Sequence, residues 1–150
     1  MVKINLNILE IEDIELKRGS ISPYLFTRIY ATVGYKTKEG LFIYEQGLVD
    51  TGAIVSLLPR RVWEKLSIKI IGQHYIKGVI KKKECVLAVK IAKVRSKLID
   101  EFGNETFEFD KIAYCADSDD IPLILGLKEA IDRLNLHILF SKNKAYLEQI

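Results

Sequence analysis

The sequence predicts a single, mostly β domain with little helix. Apolar and polar residues alternate with a period of two along much of the chain, and β-branched and aromatic residues are common in these stretches. The length of 150 residues and the apolar fraction of 49% are enough for one globular domain with a real core. Because no Pro/Gly/Ser-rich linker or internal repeat divides the chain, we predict one domain over residues 1–150.

The alternating stretches predict strands in chain order, and turn residues separate them. The predicted strands are Met1–Ile8, Leu25–Val33, Phe42–Tyr44, Val86–Val94, Phe107–Tyr114, Leu136–Phe140 and Ala145–Ile150. The turn signals between them are Gly19-Ser20, Ser22-Pro23, Lys38-Glu39-Gly40 and Phe102-Gly103-Asn104.

Two segments depart from the strand pattern and predict helices. Pro59 stands at a favourable helix start, and apolar residues follow it up to Leu66, which indicates a short helix. The segment Leu127–Leu134 has apolar residues at spacings of three and four, which is typical of one helical face. We therefore expect a clear C-terminal helix there.

Composition and charge exclude several classes of protein. The 23 Lys and Arg residues against 20 Asp and Glu give a net charge of +3, too little to indicate nucleic-acid or membrane binding. The alternating N-terminus contains no unbroken apolar region of a signal peptide, and no stretch approaches the length of a membrane span. The two cysteines, Cys85 and Cys115, fit a reducing compartment. We expect a cytoplasmic protein.

Common cofactor and metal motifs are missing from the sequence. It contains no dinucleotide or P-loop glycine motif, no H-E-x-x-H and no C-x-x-C. A calcium loop starting at Asp117 would need Gly where Pro122 stands and Glu where Lys128 stands. His74 and His137 have no partner nearby in sequence. We therefore predict no cofactor and no metal.

The segment Gly47–Pro59 carries the strongest signal of chemistry. An apolar strand ends in Asp50, Thr51 and Gly52 follow, and a second apolar run begins at Ala53. A bare Asp-Thr-Gly is usually a turn. A carboxylate at the edge of an apolar core, however, costs free energy unless it is paired or used.

Its context makes this segment resemble the active site of aspartic peptidases of the retroviral, or retropepsin-like, type. Leu48–Pro59 is similar to that family's Asp-Thr-Gly-Ala motif between apolar residues. Pro122–Gly126 before the predicted C-terminal helix is similar to the family's second signature. The resemblance covers residues 41–150 and implies a single-lobe, closed β-barrel with one short C-terminal helix.

The resemblance implies an aspartic endopeptidase and assigns roles to the loop. Asp50 would be the catalytic carboxylate, Thr51 would bond across a dimer axis, and Gly52 would allow close approach of the backbone. The reaction needs two carboxylates that share a proton, and this chain has one Asp-Thr-Gly. We therefore expect a homodimer that acts on a peptide or protein substrate.

Further residues are implied to line the substrate site. Ala53 and Ile124 would bind the substrate. Pepsin-like relatives often have a hydroxyl at the position of Ala53, where it can bond an ionised carboxylate, so we expect a pH optimum less acidic than a pepsin's. A β-hairpin flap is expected at about Gln73–Val89, and its residues facing the substrate would be Ile76, Gly78, Val79 and Ile80.

The flap and the termini depart from the viral pattern. Lys77 and Lys81–Lys83 replace a glycine-rich tip, which suits either acidic substrates or an exposed hairpin that blunts a sheet edge. In the resembling enzymes the termini interleave to fasten the dimer, and Met1–Ile8 and Ala145–Ile150 are both candidates. Residues 1–22 form an N-terminal extension and strand region, of which Ile8–Ser22 has no counterpart in the minimal viral enzymes.

Two other interpretations stay open. The chain could be a dimeric binding or adaptor module of retropepsin fold with weak or no peptidase activity. The intact Asp50-Thr51-Gly52 argues against this, because a binding module has no chemical need for the loop. Alternatively, a small all-β domain could contain the motif by accident.

Overall fold

The computed structural model describes residues 1–12, 25–77 and 86–150. The strands within these residues are β1 (Val2–Asn5), β2 (Asn7–Glu12), β3 (Leu25–Lys36), β4 (Phe42–Val49), β5 (Ser56–Leu58), β6 (Ile68–Lys77), β7 (Val86–Ile99), β8 (Phe109–Ala116), β9 (Ile124–Leu125), β10 (Asn135–Leu139) and β11 (Lys144–Gln149). A one-turn helix, α1 (Arg60–Trp63), follows β5, and 3-10 helices lie at Ile131–Arg133 and Phe140–Lys142. The mostly β prediction is confirmed.

The large sheet closes on itself into a ring. Its strand order is β2-β3-β4-β9-β5-β8-β7-β6, and β3 also pairs with β7. Strands β3, β4, β9, β5, β8 and β7 therefore form a closed circuit, from which β2 and β6 extend. Most neighbours are antiparallel, but β4 runs parallel to β9 and β5 runs parallel to β8. No helix in the described ranges is long and apolar enough to cross a membrane.

The main core combines residues of the ring with residues of α1, β1 and β11, and β7 connects it to a second cluster. Side chains on β7 are buried at Leu87 and Val89, and then at Ala92, Val94 and Leu98. β7 pairs with β8 without a register shift from Val89 to Ser96. Because side chains of a regular strand alternate between faces, the residues at odd positions lie on one face of β7 and those at even positions on the other. The first two residues belong to the second cluster and the other three to the main core.

The chain termini form a separate three-stranded sheet of order β1-β11-β10. β11 is central, paired antiparallel with β1 from Val2 to Asn5 and with β10 from Asn135 to Leu139. Its Leu147 is fully buried, as is Ile4 of β1. The predicted strand Ala145–Ile150 is therefore found as β11. The predicted strand Met1–Ile8 is divided between β1, which pairs with β11 within one chain, and β2, which pairs with β3 in the large sheet.

The two predicted helices have different outcomes. The segment after Pro59 is helical from Arg60 to Trp63, as expected. The prediction of a clear C-terminal helix over Leu127–Leu134 is wrong, because the chain there makes a turn followed by a single turn of 3-10 helix. Glu129 adopts a left-handed conformation with φ of 55°, which interrupts helical hydrogen bonding.

The predicted flap corresponds to the hairpin of β6 and β7. These strands pair antiparallel up to Lys77 opposite Val86. The predicted tip residues Gly78, Val79 and Ile80, together with Lys81–Lys83, lie outside the described residues. Most of the segment Ile8–Ser22 also lies outside them, and its beginning forms part of β2.

Candidate active site

Asp50 stands directly after β4, at the point where that strand is held by a parallel neighbour. Leu48 pairs with Ile124 of β9 and Val49 pairs with Leu125. The N–H of Asp50 donates to the Leu125 carbonyl at 3.1 Å. The strand is thus fixed up to the aspartate, whose side chain is half-buried.

The Asp-Thr-Gly loop orients its own carboxylate. The N–H of Gly52 donates to Asp50 Oδ1 at 2.9 Å, and the N–H of Ala53 donates to the Asp50 carbonyl at 3.2 Å. A Cβ at position 52 would lie 3.1 Å from the same Oδ1, so glycine leaves the carboxylate room. Thr51 and Gly52 are exposed, which places this loop at the surface of one chain.

The segment after β9 also holds the loop through hydrogen bonds. The chain leaving β9 donates the N–H of Leu127 to the Ala53 carbonyl at 2.9 Å and the N–H of Lys128 to the Ile54 carbonyl at 2.8 Å. β9 lies between β4 and β5 in the sheet, so it separates the two strands that the loop connects. The two motifs that the sequence singled out therefore form one hydrogen-bonded unit.

Gly126 and Ser56 form the buried part of this unit, and sequence reasoning missed Ser56. The N–H of Gly126 donates to Ser56 Oγ at 3.0 Å, and Ser56 has no exposed surface. A Cβ on Gly126 would lie 2.6 Å from the carbonyl carbon of Val55, so only glycine fits. A lone hydroxyl within the apolar run after Ala53 was the available sequence signal.

An apolar cluster connects the loop to the hairpin of β6 and β7. Leu57 of β5 is buried in the second cluster, and Ile76 of β6 and Ile124 of β9 both pack against that cluster. Ile124 also pairs with Leu57 in the sheet. Two residues predicted to bind substrate, Ile76 and Ile124, are therefore brought to the same cluster.

Residues set aside on sequence grounds contact other parts of the fold. His137 Nε2 lies 3.1 Å from a carboxylate oxygen of Glu148, and the His74 ring lies 5.7 Å from the Tyr114 ring. Asp117 pairs with the guanidinium of Arg60 in α1. In the three described stretches of the chain, no group of three or more His, Cys, Asp or Glu is placed to hold a metal ion.

The arrangement provides one oriented carboxylate at an open surface rather than a closed pocket. A cavity of about 540 Å³ lies elsewhere, beside Asn5, Gln46 and Asp100 at the terminal sheet. A carboxylate held by a backbone N–H can accept a proton from water or share one with a second carboxylate. One such group alone supplies only half of a two-carboxylate site.

Comparison of the chain with protein-family models, with curated proteins and with solved structures found no match.

Proposed function

We propose that the protein is an aspartic endopeptidase whose active site takes one Asp50 from each of two identical chains. The observation that carries this proposal is the surface loop that begins at Asp50. The N–H of Gly52 orients the Asp50 carboxylate, and the N–H of Leu127 donates to the Ala53 carbonyl and fixes the loop backbone. The resemblance to retropepsin-like enzymes supports the same assignment, since both family signatures meet in this unit.

Two such loops facing each other across a two-fold axis complete the chemistry. Carboxylates about 3 Å apart do not both ionise readily, so the pair holds one proton. The ionised Asp50 takes a proton from a bound water, which attacks the peptide carbonyl. The protonated Asp50 of the other copy polarises that carbonyl and then helps to protonate the leaving amine.

The other loop residues position these groups. The N–H of Gly52 keeps one carboxylate oxygen engaged, which leaves the second oxygen for the water or the shared proton. Thr51 is exposed at the tip, where its hydroxyl can bond to the partner loop. Both contributions depend on the backbone of residues 50–54, which the chain after Gly126 holds.

The substrate is an extended peptide, and the apolar cluster favours an apolar side chain close to the scissile bond. Leu57 is almost fully buried, while Ile76 and Ile124 keep part of their surface exposed beside it. An apolar substrate side chain placed there would bury that surface. Ala53 would lie next to the peptide backbone.

The test compares the wild type with Asp50→Asn on a peptide library between pH 3 and 7. We expect cleavage by the wild type that pepstatin blocks, an optimum well above pH 2, and loss of at least about 10³-fold in kcat/KM for Asp50→Asn. Equal cleavage by the two proteins would refute the proposal. If both are inactive although the protein is a dimer, the adaptor interpretation is favoured instead.

A further inference from the structure

Two adjoining cavities form a groove on the outside of the large sheet, beside the terminal sheet. Their volumes are about 540 and 560 Å³, and each is within the size range of small-molecule sites in proteins. Leu6, Asn7, Gln46 and Asn143 line both cavities. Among the described residues that line the groove, none belongs to residues 50–54. The groove is therefore separate from the proposed active site.

Three neighbouring strands present polar side chains to this groove. Thr32 of β3 lies between two fully buried core residues, so its own side chain points away from the core. Gln46 of β4 is the cross-strand partner of Thr32. Asn7 of β2 pairs with Tyr30, which is two residues from Thr32 along β3. Because cross-strand partners and residues two apart share a face, these side chains lie together on the outer face of the sheet.

The polar side chains form a chain of hydrogen bonds. Asn7 Nδ2 donates to Gln46 Oε1 at 3.4 Å, and Gln46 Nε2 donates to the Thr32 hydroxyl at 2.6 Å. Both donations run in the same direction. The Thr32 hydroxyl proton at one end and the Asn7 amide oxygen at the other can therefore bond to a ligand. Asn143 adds a further side-chain amide, and its backbone N–H donates to the Phe140 carbonyl at 3.1 Å.

The charges around the groove favour a neutral ligand. Among the described residues that line it, the charged ones are Asp100, Glu101 and Lys144. Both carboxylate oxygens of Asp100 already accept hydrogen bonds from the chain. Glu101 and Lys144 are exposed and opposite in sign. A phosphate or carboxylate ligand would call for an excess of positive charge, which this lining does not provide.

Asp100 also fixes two walls of the groove relative to each other. Its Oδ2 accepts from the N–H of Asn5 at 3.0 Å, and its Oδ1 accepts from the N–H of Phe102 at 3.0 Å. Asn5 and Phe102 both line the groove. The Phe102 side chain is 70% exposed there, so an aromatic ring on a fixed backbone is available to pack against a ligand.

We propose that this groove binds a neutral saccharide. A sugar combines hydroxyls that both donate and accept hydrogen bonds with an apolar C–H face. The hydroxyls bond to Asn7, Gln46 and Thr32, and the C–H face packs on the Phe102 ring. An extended peptide is a poorer match, because peptides commonly pair with an open sheet edge, whereas this groove presents side chains on a sheet face. The proposal does not depend on the proposed peptidase activity.

A titration of the full chain, followed by NMR of its ¹⁵N-labelled amides, tests the proposal. The probes are maltotriose, cellotriose and triacetylchitotriose. We expect at least one of them to shift the side-chain amide signals of Asn7, Gln46 and Asn143 in a saturable way, with a dissociation constant of about 1 mM or lower. Asp50→Asn should bind the same probe equally well. If none of the three probes gives saturable shifts up to about 10 mM, the proposal is refuted.

Two substitutions locate the binding within the groove. Gln46→Ala removes the centre of the hydrogen-bond chain and Phe102→Ala removes the ring, so each should weaken binding about fivefold or more. Gln73→Ala, at an exposed glutamine of β6, is the control for the first. Phe107→Ala, whose ring is 78% exposed outside the groove, is the control for the second. Binding that both Gln46→Ala and Phe102→Ala leave unchanged would overturn the assignment, as would equal weakening by the controls.

Two other ligand classes are tested in the same titration, with inorganic phosphate and an acetylated tetra-alanine peptide as probes. Saturable shifts of the groove amides with either of these, and with none of the saccharides, would refute the proposal. The result is also distinguishable from that for the proposed function. Saccharide binding without peptidase activity would support the groove and refute the enzyme, and peptidase activity without saccharide binding would do the reverse.

Discussion

The backbone N–H of Gly126 donates to the buried Ser56 hydroxyl at 3.0 Å. This bond joins the two segments of the chain that support the Asp50 loop. Ser56 begins β5 directly after the loop, and Gly126 follows β9, the strand that steadies Asp50 from the side. The loop's geometry therefore depends on a contact whose residues carry no catalytic group.

Removing the Ser56 hydroxyl should loosen the loop. Ser56→Ala leaves the buried N–H of Gly126 without its partner, which costs about 1 to 3 kcal/mol. We expect a lower free energy of unfolding by urea denaturation and a fall in kcat larger than any change in KM. Ser67→Ala, at an exposed position, serves as the control and should change neither quantity.

Adding a methyl group at Gly126 should be more damaging. The new Cβ would lie 2.6 to 2.8 Å from backbone atoms of Val55 and Ser56, which cannot move aside as a side chain can. We expect Gly126→Ala to cost at least about 1 to 3 kcal/mol of stability. Gly72→Ala is the matched control, since its Cβ would meet Ile91 at an ordinary 3.5 Å. Equal stability of the two variants would contradict the close packing at Gly126.

The buried lysine of β8 should make stability depend on pH. Lys111 has no exposed surface, and its Nζ donates to the Tyr35 hydroxyl at 2.9 Å. Burial lowers the pKa of Lys111 from 10.5 to about 7. Between these values the unfolded chain binds the proton and the folded chain does not. Through this group, stability therefore falls as pH drops from about 10.5 to about 7 and levels off below.

Substitution of the lysine isolates this effect. The double variant Tyr35→Phe/Lys111→Met is compared with the single variant Tyr35→Phe. Both proteins lack the tyrosine hydroxyl, which would otherwise lose its hydrogen-bond partner when Lys111 is replaced. We expect the gain in unfolding free energy from Lys111→Met to be larger at pH 7 than at pH 10. The exposed Lys93→Met should show no such difference. An equal gain at both pH values would show that Lys111 is not destabilised by burial of its charge.

Asp100 should make stability depend on pH in the same direction, but in the acid range. Burial would raise the pKa of its carboxyl, but hydrogen bonds from Asn5 and Asn104 outweigh this and lower it from 3.8 to about 2. The stability that Asp100 contributes is thus present above about pH 4 and lost as pH falls toward 2. Asp100→Asn should cost about 1.5 to 3 kcal/mol at pH 6 and less near pH 2, measured by thermal unfolding. Glu101→Gln, an exposed neighbour, should cost little at either pH.

The strands were predictable because their period reflects which side faces the core. Alternation along Leu25–Val33 and Val86–Val94 predicted β3 and β7, although both strands extend further than the pattern indicated. The Asp50 loop was also recognisable, because its residues are consecutive. The pairing of Ser56 with Gly126 was not, since it joins positions 70 residues apart and depends on β9 lying between β4 and β5.

The C-terminal helix prediction failed for a physical reason. Ala130 and Ile131 are buried in the main core, and Leu127 and Leu134 pack against it. The spacing of these apolar residues in the sequence shows only that they face the core. A turn followed by a 3-10 helix buries them as well as an α-helix would. The N–H groups of Leu127 and Lys128 bond to the Asp50 loop. These tertiary hydrogen bonds to the loop therefore override the local helix propensity of the segment.

Mixing wild type with Asp50→Asn tests most directly whether each of two chains supplies one carboxylate. The wild type is held at a fixed concentration above its dimer dissociation constant, and the variant is added in equal amount and allowed to exchange. Random pairing then places half of the wild-type chains in dimers with a single Asp50, so peptidase activity should fall to about half. Activity that stays unchanged although the chains exchange would contradict the shared site.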